Sequence, residues 1–388
     1  MARKLASIQR IATVEPIKKA DFIVKVTLEK LGWHLVAKKD DFKEGDLCVF
    51  FEIDAILPKE PWAEFMEPRK YRVRTVKMRK VLSQGLALPL DILDQDQILE
   101  VFEEAVLSDE IRTDPSFVGT DLTDILAVGK YEIPAITGMA NTVQQACEYP
   151  RAVLPKTDET RLQSCLEVLR ELQEVPWYAT VKLDGTSATF VRLQASYGPY
   201  DEGDLMVCTR NRAIREIEPD PDSTKPKKEN AYFKVARRYD FFKNIPRGYA
   251  IQGELVGPGI QKNKLELDDM DVFVFNVWDA KAMRYLDYGD ASTFCLSRGF
   301  RFVPLVGICT SDMLRCPNPD DPIGPPLEQK VEYTLEWFLK LAEGMYAGTK
   351  RNREGIVVRP LHESYSQALG ERFSFKVLNN IFLLKDED

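Results

Sequence analysis

The first hundred residues are patterned as short strands separated by turns, and this spacing constrains the fold more than any other feature of the sequence. A hairpin is predicted around Lys30 to Gly32, and a largely buried strand ends at Pro58. Residues 71–90 form a further strand region. Short strands at regular spacing are typical of small β-barrels, so we predict a β-barrel domain over residues 1–100.

The pattern changes after about residue 150, where strands alternate with helices up to the C-terminus. A helix entered through Thr157 or Asp158 is predicted from apolar residues at helical spacing, which are Leu162, Cys165, Leu166, Leu169 and Leu172. Residues 101–145 include an acidic, weakly patterned stretch and are predicted to be a linker. We therefore expect an α+β chain whose second domain covers residues 146–388.

The charge of the chain excludes a uniformly basic nucleic-acid-binding protein, because the formal net charge is -8 and the pI is about 5.2. A local basic patch remains possible. Seven basic residues and no acidic one lie between Arg69 and Lys80. Lys70, Arg72 and Arg74 are predicted to share one strand face and to contact an RNA backbone; the alternative is a solvated edge strand.

The seven cysteines are scattered singly, without a CxxC pair, and the chain has only two histidines. A Cys/His zinc site and a disulfide framework are therefore not expected, and free thiols in a reducing compartment are. The N-terminal residues contain no sustained apolar stretch, so neither a signal peptide nor a membrane span is expected. A cytoplasmic or nuclear location follows from these expectations.

The segment "TVKLDGTSATF" places Lys182 inside an apolar strand, directly before a turn at Asp184 and Gly185. The alternation of a half-buried strand favours an apolar residue at the lysine position. A lysine followed by x-Asp-Gly is a weak signal by itself. The alternative interpretation is an ordinary hairpin turn next to an exposed lysine.

Four downstream segments supply companions for this lysine. They are "YAIQGELVG" with Glu254, "VFVFNVWD" with Phe275, "REGIVVRP" with Glu354, and "RFSFKVLN" with Lys376. Each has a structural alternative: a charge at a strand end, a core aromatic, a surface ion pair of Glu354 with Arg353, and a charged edge strand. Their combination and order favour a shared site.

Together these residues suit chemistry on a nucleotide. A lysine must be neutral to attack a phosphorus atom, and nearby cations lower its pKa. Lys376 and a divalent metal ion would supply that positive charge and offset the charge of the phosphates. Phe275 is suited to stack on a base. Hard oxygen ligands for Mg²⁺, or for its waters, would come from Asp184, Glu254 and Glu354.

The set resembles the covalent nucleotidyltransferase superfamily of ligases and capping enzymes. "KLDG", "QGELVG", "VFVFNVWD", "REGIVV" and "FSFKVLN" match its motifs I, III, IIIa, IV and V in order. Only about a dozen residues follow motif V, and the extra β-rich domain precedes the motifs. This arrangement, with "FFEIDAILP", "YRVRTVKMRKVLSQGLALPL" and "PKTDETRLQ", resembles the RNA ligase family typified by the Deinococcus and Naegleria enzymes.

The resemblance implies the fold and the activity. The fold would be an N-terminal OB-fold β-barrel followed by a nucleotidyltransferase domain of ATP-grasp-like antiparallel sheets with helices. The activity would be the joining of 3′-OH and 5′-phosphate RNA ends, using ATP and Mg²⁺ or Mn²⁺, through a lysyl-AMP intermediate. A monomer acting in RNA repair is expected.

The resemblance also assigns roles to residues at matching motif positions. Catalytic roles fall on Lys182, Glu254, Glu354 and Lys376. Nucleotide contacts fall on Arg161, Lys182, Arg210, Asn211, Phe275 and Lys376. Water-mediated metal contacts fall on Asp184, Glu254 and Glu354. One departure is present, because Ser374 stands where the superfamily often carries a second motif V lysine.

Two other functions are considered. A capping-type guanylyltransferase would use GTP and a triphosphate end, and the lack of an OB-fold domain after motif V argues against it. A catalytically inactive RNA-binding relative is the second alternative. The complete motif set argues against it, since decay would normally alter Lys182 or Glu254.

Overall fold

A computed structural model describes residues 4–104, 106–131, 143–217, 229–310, 317–319 and 331–385. The chain forms two compact units. The first comprises Met1–Pro134 with Leu162–Leu166 and Leu383–Asp388, and the second comprises Ala135–Arg161 with Glu167–Phe382. None of the helices in the described ranges is long and apolar enough to cross a membrane.

The strands of the first unit are β1 (Ala6–Pro16), β2 (Ile23–Leu28), β3 (His34–Lys38), β4 (Leu47–Phe51), β5 (Ala55–Ile56), β6 (Thr75–Met78), β7 (Val81–Gln84), β8 (Leu86–Pro89) and β9 (Gly129–Lys130), and α1 (Gln95–Phe102) is an α-helix of this unit. Five of these strands form an antiparallel sheet in the order β3-β2-β1-β4-β8. β2 and β3 form the hairpin predicted around Lys30 to Gly32.

The core of this unit lies on both sides of β4, all of whose residues are buried. Phe50 packs in one apolar cluster with Trp33 and Leu35, while Phe51 packs in another with Leu57 and other apolar side chains. A strand covered on both faces is apolar throughout rather than alternating, which explains the sequence "LCVFF". The prediction of a largely buried strand is confirmed for Leu47–Phe51, but the strand does not run to Pro58, because a turn with Asp54 at a positive φ of 72° separates β4 from β5.

The strand predicted through Lys70, Arg72 and Arg74 is wrong. A 3-10 helix over Pro61–Arg69 ends in two left-handed residues, Lys70 (φ 53°) and Tyr71 (φ 58°), which turn the chain. Arg72 pairs with Asp54 at 2.6 Å and its guanidinium lies 3.4 Å from the centre of the Tyr131 ring. The three cations therefore do not share a strand face, and Arg72 is held by its own domain.

Most of the described part of the expected linker is folded into the first unit, and residues 143–145 begin a strand of the second. β9 pairs with β5, and Leu122 and Leu126 lie in the cluster around Phe51 with 0% and 3% exposure. α1 begins with a capping box between Asp94 and Gln97. The acidic residues lie on the solvent side of these elements, so composition alone does not reveal the apolar residues on the other side. Residues 132–142 lie outside the described ranges.

The second unit contains two large sheets, one in the order β10-β15-β14-β13-β16-β17-β18 with β19 beside β17, and one in the order β11-β24-β21-β12-β20. The strands are β10 (Val143–Glu148), β11 (Thr160–Arg161), β12 (Trp177–Lys182), β13 (Thr186–Arg192), β14 (Leu205–Cys208), β15 (Arg212–Glu216), β16 (Tyr249–Val256), β17 (Asp271–Asp279), β18 (Arg284–Tyr285), β19 (Arg301–Phe302), β20 (Leu305–Cys309), β21 (Gly355–Pro360), β22 (Tyr365–Ser366), β23 (Glu371–Arg372) and β24 (Phe375–Leu378).

The helices that follow α1 are short. They are α2 (Val168–Leu172), α3 (Ala231–Arg238), α4 (Phe241–Asn244), α5 (Tyr288–Leu296), α6 (Leu335–Ala342) and α7 (Asn380–Lys385). Of these, α5 and α6 pack on strands of the two sheets. The helix predicted from Thr157 or Asp158 is wrong in its first half, because β11 pairs there with β24. Only Val168–Leu172 is α-helical, so pairing with a strand more than two hundred residues away overrides the local helical spacing.

The expectation of free thiols holds for five cysteines, Cys48, Cys147, Cys165, Cys208 and Cys295. It is wrong for Cys309, which is disulfide-bonded. Single cysteines spread along a sequence carry no information about which of them lie close in space, so spacing alone could not reveal this bond.

Phe50→Ala tests the core of the first unit. We expect it to lower the free energy of unfolding by about 3–5 kcal/mol, because a fully buried aromatic ring leaves a cavity. Urea denaturation of the full chain, followed by circular dichroism, measures the change. Phe22→Ala is the matched control, since that ring is 82% exposed and its loss should change stability by less than about 0.5 kcal/mol. Equal effects of the two variants would contradict the assigned core.

Candidate active site

The pairing of β12 with β21 joins Lys182 to Glu354. The two strands are antiparallel, and Lys182 is in register with Gly355. Lys182 Nζ lies 2.6 Å from Glu354 Oε2, with both side chains largely shielded from solvent. The structure therefore brings together two residues that are 172 positions apart in sequence. The surface pair of Glu354 with Arg353 does not form, because buried Arg353 donates to the carbonyl oxygens of Leu341, Ala342 and Glu343.

Two glycines permit close backbone packing at the site, one between β21 and β24 and the other between the turn after β12 and β16. A Cβ on Gly355, whose φ is +155°, would lie 2.1 Å from the carbonyl oxygen of Val377. A Cβ on Gly185 would lie 2.4 Å from the carbonyl oxygen of Leu255. Both contacts are shorter than any side chain tolerates. The glycines of "KLDG" and "REGIVV" are therefore required by backbone packing at the site.

The second sheet contributes Glu254. It lies on β16, in register with Ser187 and Phe273, and its Oε1 accepts a hydrogen bond from the Gly185 amide at 3.1 Å. Because Gly185 directly follows Asp184 and lies three residues after Lys182, this bond fixes the glutamate next to the turn that follows the lysine. The structure thus gathers Lys182, Asp184, Glu254 and Glu354, as the sequence predicted.

The grouped charges shift the pKa values of one another. Burial lowers the pKa of Lys182, but the negative charges of Glu354, Glu254 and Asp184 outweigh burial and hold it above its ordinary value. Burial and the neighbouring carboxylates raise the pKa of Glu254 to about 8, although Lys182 opposes the shift. Burial and the charge of Glu354 raise the pKa of Asp184 to about 6. The site holds crowded carboxylates and a protonated lysine.

Lys264 is a site residue that the sequence analysis missed. Its Nζ lies 2.6 Å from Asp184 Oδ2 and 4.0 Å from the centre of the Phe382 ring. Three left-handed residues, Gln261–Asn263, precede it and direct the chain towards the carboxylate. Consecutive non-glycine residues with positive φ are strained and tend to occur at functional sites. The signal available in the sequence was the segment "GPGIQKNK", whose lysines give no indication of their distant partner.

Arg161 and Lys376 lie on the same sheet face as Lys182. Arg161 is in register with Lys376, Lys376 with Val357, and Val357 with Thr180. Residues in register project to the same face, and so do residues two apart on one strand. Thr180 precedes Lys182 by two residues, so the three cationic side chains share one face. The sequence-predicted Arg161 and Lys376 therefore lie on the sheet face that carries the predicted nucleophile, three and two strands away from β12.

A β-bulge sets the position of Phe275. The register between β16 and β17 shifts between Gln252 and Gly253, which pair with Asn276 and Val274 and leave Phe275 unpaired. Bulges turn a side chain out of the regular pattern. Phe275 is only partly buried, whereas Val274 is buried completely. Phe275 also packs against the apolar cluster that contains Leu183 and Phe273, so its role in stacking on a base stays a prediction beside the alternative of a core aromatic.

Arg359 and Ser374 form a buried network behind Phe275. Arg359 is 2% exposed, and it donates to Glu159 Oε1 at 2.8 Å, to Ser374 Oγ at 2.9 Å and to the carbonyl oxygen of Phe275 at 3.3 Å. Ser374 is therefore the acceptor for a cation that is already present. The departure from the superfamily motif has a structural partner in Arg359, which the sequence analysis did not identify.

Arg210 and Asn211 lie in the turn between β14 and β15 and contact the segment before β11. Arg210 pairs with Asp158, and Asn211 Oδ1 accepts from Lys156 Nζ at 2.7 Å. The same segment lines a cavity of about 200 Å³ together with other side chains, namely those of Tyr285, Glu371, Arg372 and Ser374. These two predicted residues thus face the wall of a cavity rather than the carboxylates.

The carboxylates fit a divalent cation held through water. Three half-buried carboxylates, two of them with raised pKa values, surround one lysine, and hard oxygen donors suit Mg²⁺ or Mn²⁺. Within the described ranges, no three His, Cys, Asp or Glu side chains are close enough to ligate one metal ion directly. The role of Asp184, Glu254 and Glu354 in holding metal-bound waters stays a prediction.

Comparison with known proteins identifies relatives of both units. A model of the RNA ligase family matches residues 175–378, and a model of an OB-fold domain matches residues 5–90. The structure of Naegleria gruberi RNA ligase with PPi is similar, with a TM-score of 0.74, 27% identity and 100% of both chains covered.

Two mutants of the same Naegleria gruberi enzyme are also similar. One, with ATP and Mn, has a TM-score of 0.73, 27% identity and 100% of both chains covered. The other, with AMP and Mn, has a TM-score of 0.73 and 27% identity over 99% of this chain and 100% of that one. The predicted fold, an OB-fold domain followed by an α+β nucleotidyltransferase domain, is confirmed.

The raised pKa of Glu254 predicts a pH-dependent stability in the metal-free protein. The folded state binds this proton with a pKa of about 8, against an ordinary value of 4.5, so the associated stability is complete below about pH 4.5 and is lost as the pH rises through about 8. Glu254→Gln removes this ionisation, and we expect its melting temperature to fall less between pH 5 and 8.5.

Thermal unfolding in the presence of a chelator measures this difference. Glu202→Gln is the control, because Glu202 is an exposed residue paired with Arg247 at the surface. Its melting temperature should follow that of the parent protein. Parallel declines of all three proteins over this pH range would contradict the assignment of the proton to Glu254.

Proposed function

Because the chain belongs to the RNA ligase family, we propose that it joins RNA 3′-OH and 5′-phosphate ends with ATP and a divalent metal ion, through a lysyl-AMP intermediate. The observation that carries the proposal is the contact between Lys182 and Glu354 within a group of half-buried carboxylates. A lysine and carboxylates in this arrangement suit nucleophilic attack on a nucleoside triphosphate.

In the first step, Lys182 Nζ attacks the α-phosphorus of ATP, a nitrogen–phosphorus bond forms, and pyrophosphate leaves. The lysine must first lose a proton, and its raised pKa opposes this loss while the carboxylates are unscreened. A divalent cation held near these carboxylates would supply the positive charge that lowers this pKa. Asp184, Glu254 and Glu354 would orient the waters of that cation.

Arg161, Lys376 and Phe275 would bind the nucleotide. The first two present cations on the sheet face that carries Lys182, where they would offset charge on the phosphates. Phe275 would stack on the adenine from the opposite sheet. Arg210 and Asn211 would contact the ribose or a phosphate beside the adjacent cavity.

In the second step, the AMP moves from Lys182 to the 5′-phosphate of an RNA strand. The nitrogen–phosphorus bond breaks, a pyrophosphate linkage forms, and the lysine is restored. In the third step, the 3′-OH attacks the activated 5′-phosphorus, the phosphodiester bond forms, and AMP leaves. The covalent lysyl-AMP intermediate thus divides one difficult displacement into easier steps.

We propose that exposed cationic side chains of the first unit bind the RNA backbone. Lys70 and Arg74 are exposed, whereas Arg72 is engaged by Asp54 and Tyr131. Exposed lysine and arginine side chains bind phosphates by releasing counterions. Lys70 and Arg74 are therefore retained as candidate RNA contacts, and Arg72 is proposed to support them by stabilising the local fold.

Lys182→Ala tests the covalent step. We expect no protein–AMP adduct, because the nucleophilic nitrogen is lost. Intact-mass measurement after incubation with ATP and Mg²⁺ detects the adduct, and a parallel incubation with GTP distinguishes adenylylation from guanylylation. Lys234→Ala is the control, because this lysine pairs with Asp269 at the surface. An adduct on Lys182→Ala, or none on the parent protein, would refute the proposal.

A double variant, Lys70→Ala with Arg74→Ala, tests the proposed RNA contacts. Adenylylation by ATP should stay near the parent rate, while sealing of a nicked RNA should weaken as salt rises. Each lost phosphate contact should reduce the slope of log affinity against log salt by about 0.7–0.9. Removal of exposed Lys18 and Lys19 from the same unit is the charge-matched control. If both double variants seal equally at every salt concentration, the proposed contacts are wrong.

A further inference from the structure

The hydroxyl of Tyr346 joins the two loops that carry the site carboxylates. Its oxygen accepts a hydrogen bond from the amide of Asp184 at 3.1 Å and another from the amide of Glu354 at 3.1 Å. Its proton points to the carbonyl oxygen of Lys182 at 3.5 Å. A phenolic oxygen has two acceptor positions and one donor position, so these three contacts use its full capacity.

These contacts occur where β12 and β21 diverge. The two strands pair as far as Lys182 and Gly355, beyond which the ladder bonds between them stop. Asp184 and Glu354 lie just outside that pairing, so the tyrosine hydroxyl takes the place of the missing cross-strand bonds. Asn379 completes the fixation of Glu354 by donating its amide to the glutamate carbonyl oxygen at 2.9 Å.

The tyrosine is itself held firmly. It is 4% exposed and packs with Leu183, Val256, Phe273 and Val303. Its amide donates to the carbonyl oxygen of Arg351 at 2.9 Å, which closes the short loop leading to β21. Burial raises the pKa of the hydroxyl, which therefore stays neutral and available as an acceptor.

We infer that Tyr346 is a positioning residue that sets the Asp184 and Glu354 carboxylates against Lys182 Nζ through the two amide hydrogen bonds. Each bonded amide belongs to a residue whose carboxylate enters the site, so a shift of either backbone moves the carboxylate with it. The inference rests on the proposed function, because it assigns Tyr346 to the adenylylation of Lys182. Small displacements at a reacting centre reduce rates by up to about 10²-fold.

Tyr346→Phe removes the hydroxyl and keeps the packing of the ring. In single-turnover adenylylation we expect the rate constant to fall by about 10–100-fold. The ATP concentration for half-saturation should stay within about threefold, because the nucleotide contacts remain. The fraction of protein that finally carries AMP should also stay at the parent level, whereas a merely structural defect would lower that fraction and leave the rate constant unchanged.

Tyr333→Phe is the matched control. Tyr333 is also buried, and its hydroxyl accepts a hydrogen bond from Trp177 Nε1 at 2.9 Å, at the opposite end of β12. Its adenylylation rate constant should equal that of the parent protein. Equal rate constants for Tyr346→Phe and parent, or equal losses in both tyrosine variants, would overturn the inference. A parent protein that forms no AMP adduct would instead refute the proposed function itself.

Hydrogen exchange measures the same contacts without catalysis. In the nucleotide-free protein, the Tyr346→Phe variant should exchange the amides of residues 182–186 and 352–356 faster than the parent, while Tyr333→Phe should not. Faster exchange confined to these two segments supports the inference even if the variant is too unstable for kinetics. Unchanged exchange in both segments would overturn it.

Discussion

The antiparallel pairing of β12 with β21 is the constraint on which the site depends. It sets Lys182 opposite Gly355 and therefore next to Glu354. The other face of the same strands is apolar, and Phe375 on the adjacent strand packs against Phe338 of α6. A slip of one residue would turn Lys182 towards that aromatic layer and expose the core residues. Hydrophobic packing on one face of the sheet thus fixes the chemistry on the other.

The balance of charge around Lys182 explains why the site is suited to a cation. Asp184, Glu254 and Glu354 face two lysines, Lys182 and Lys264, so the group has more carboxylates than ammonium groups. Burial makes this surplus unfavourable, and the carboxyl pKa values rise in response. The same surplus keeps Lys182 protonated. One divalent cation would screen the carboxylates and lower the pKa of Lys182 at the same time. Binding of the cation and activation of the lysine are therefore linked by electrostatics.

Candidate site residues that lie in short motifs could be predicted from the sequence. The residues that position them through tertiary contacts could not. Lys182 and Glu254 stood out because a charge inside an apolar strand is unusual, and because a glycine lies three residues after the lysine and directly before the glutamate. Tyr346 was not predictable, because its role depends on a loop that approaches two distant backbones. The predicted strand through Arg72 was wrong for a related reason: left-handed residues and a partner at Asp54 are tertiary features, which outweigh local pattern.

The buried bond between Arg359 and Ser374 has an evolutionary consequence. Glu159 pairs with Arg359, and Glu363, which also acts on this guanidinium, is engaged by Arg372. A lysine at position 374 would bring a second buried cation beside the guanidinium, where both carboxylates already have a cationic partner. Positions 359 and 374 are therefore expected to vary together among homologues, with lysine at 374 accompanied by loss of the arginine. With serine at position 374, the positive charge at this end of the sheet comes from β21; with lysine there, it would come from β24.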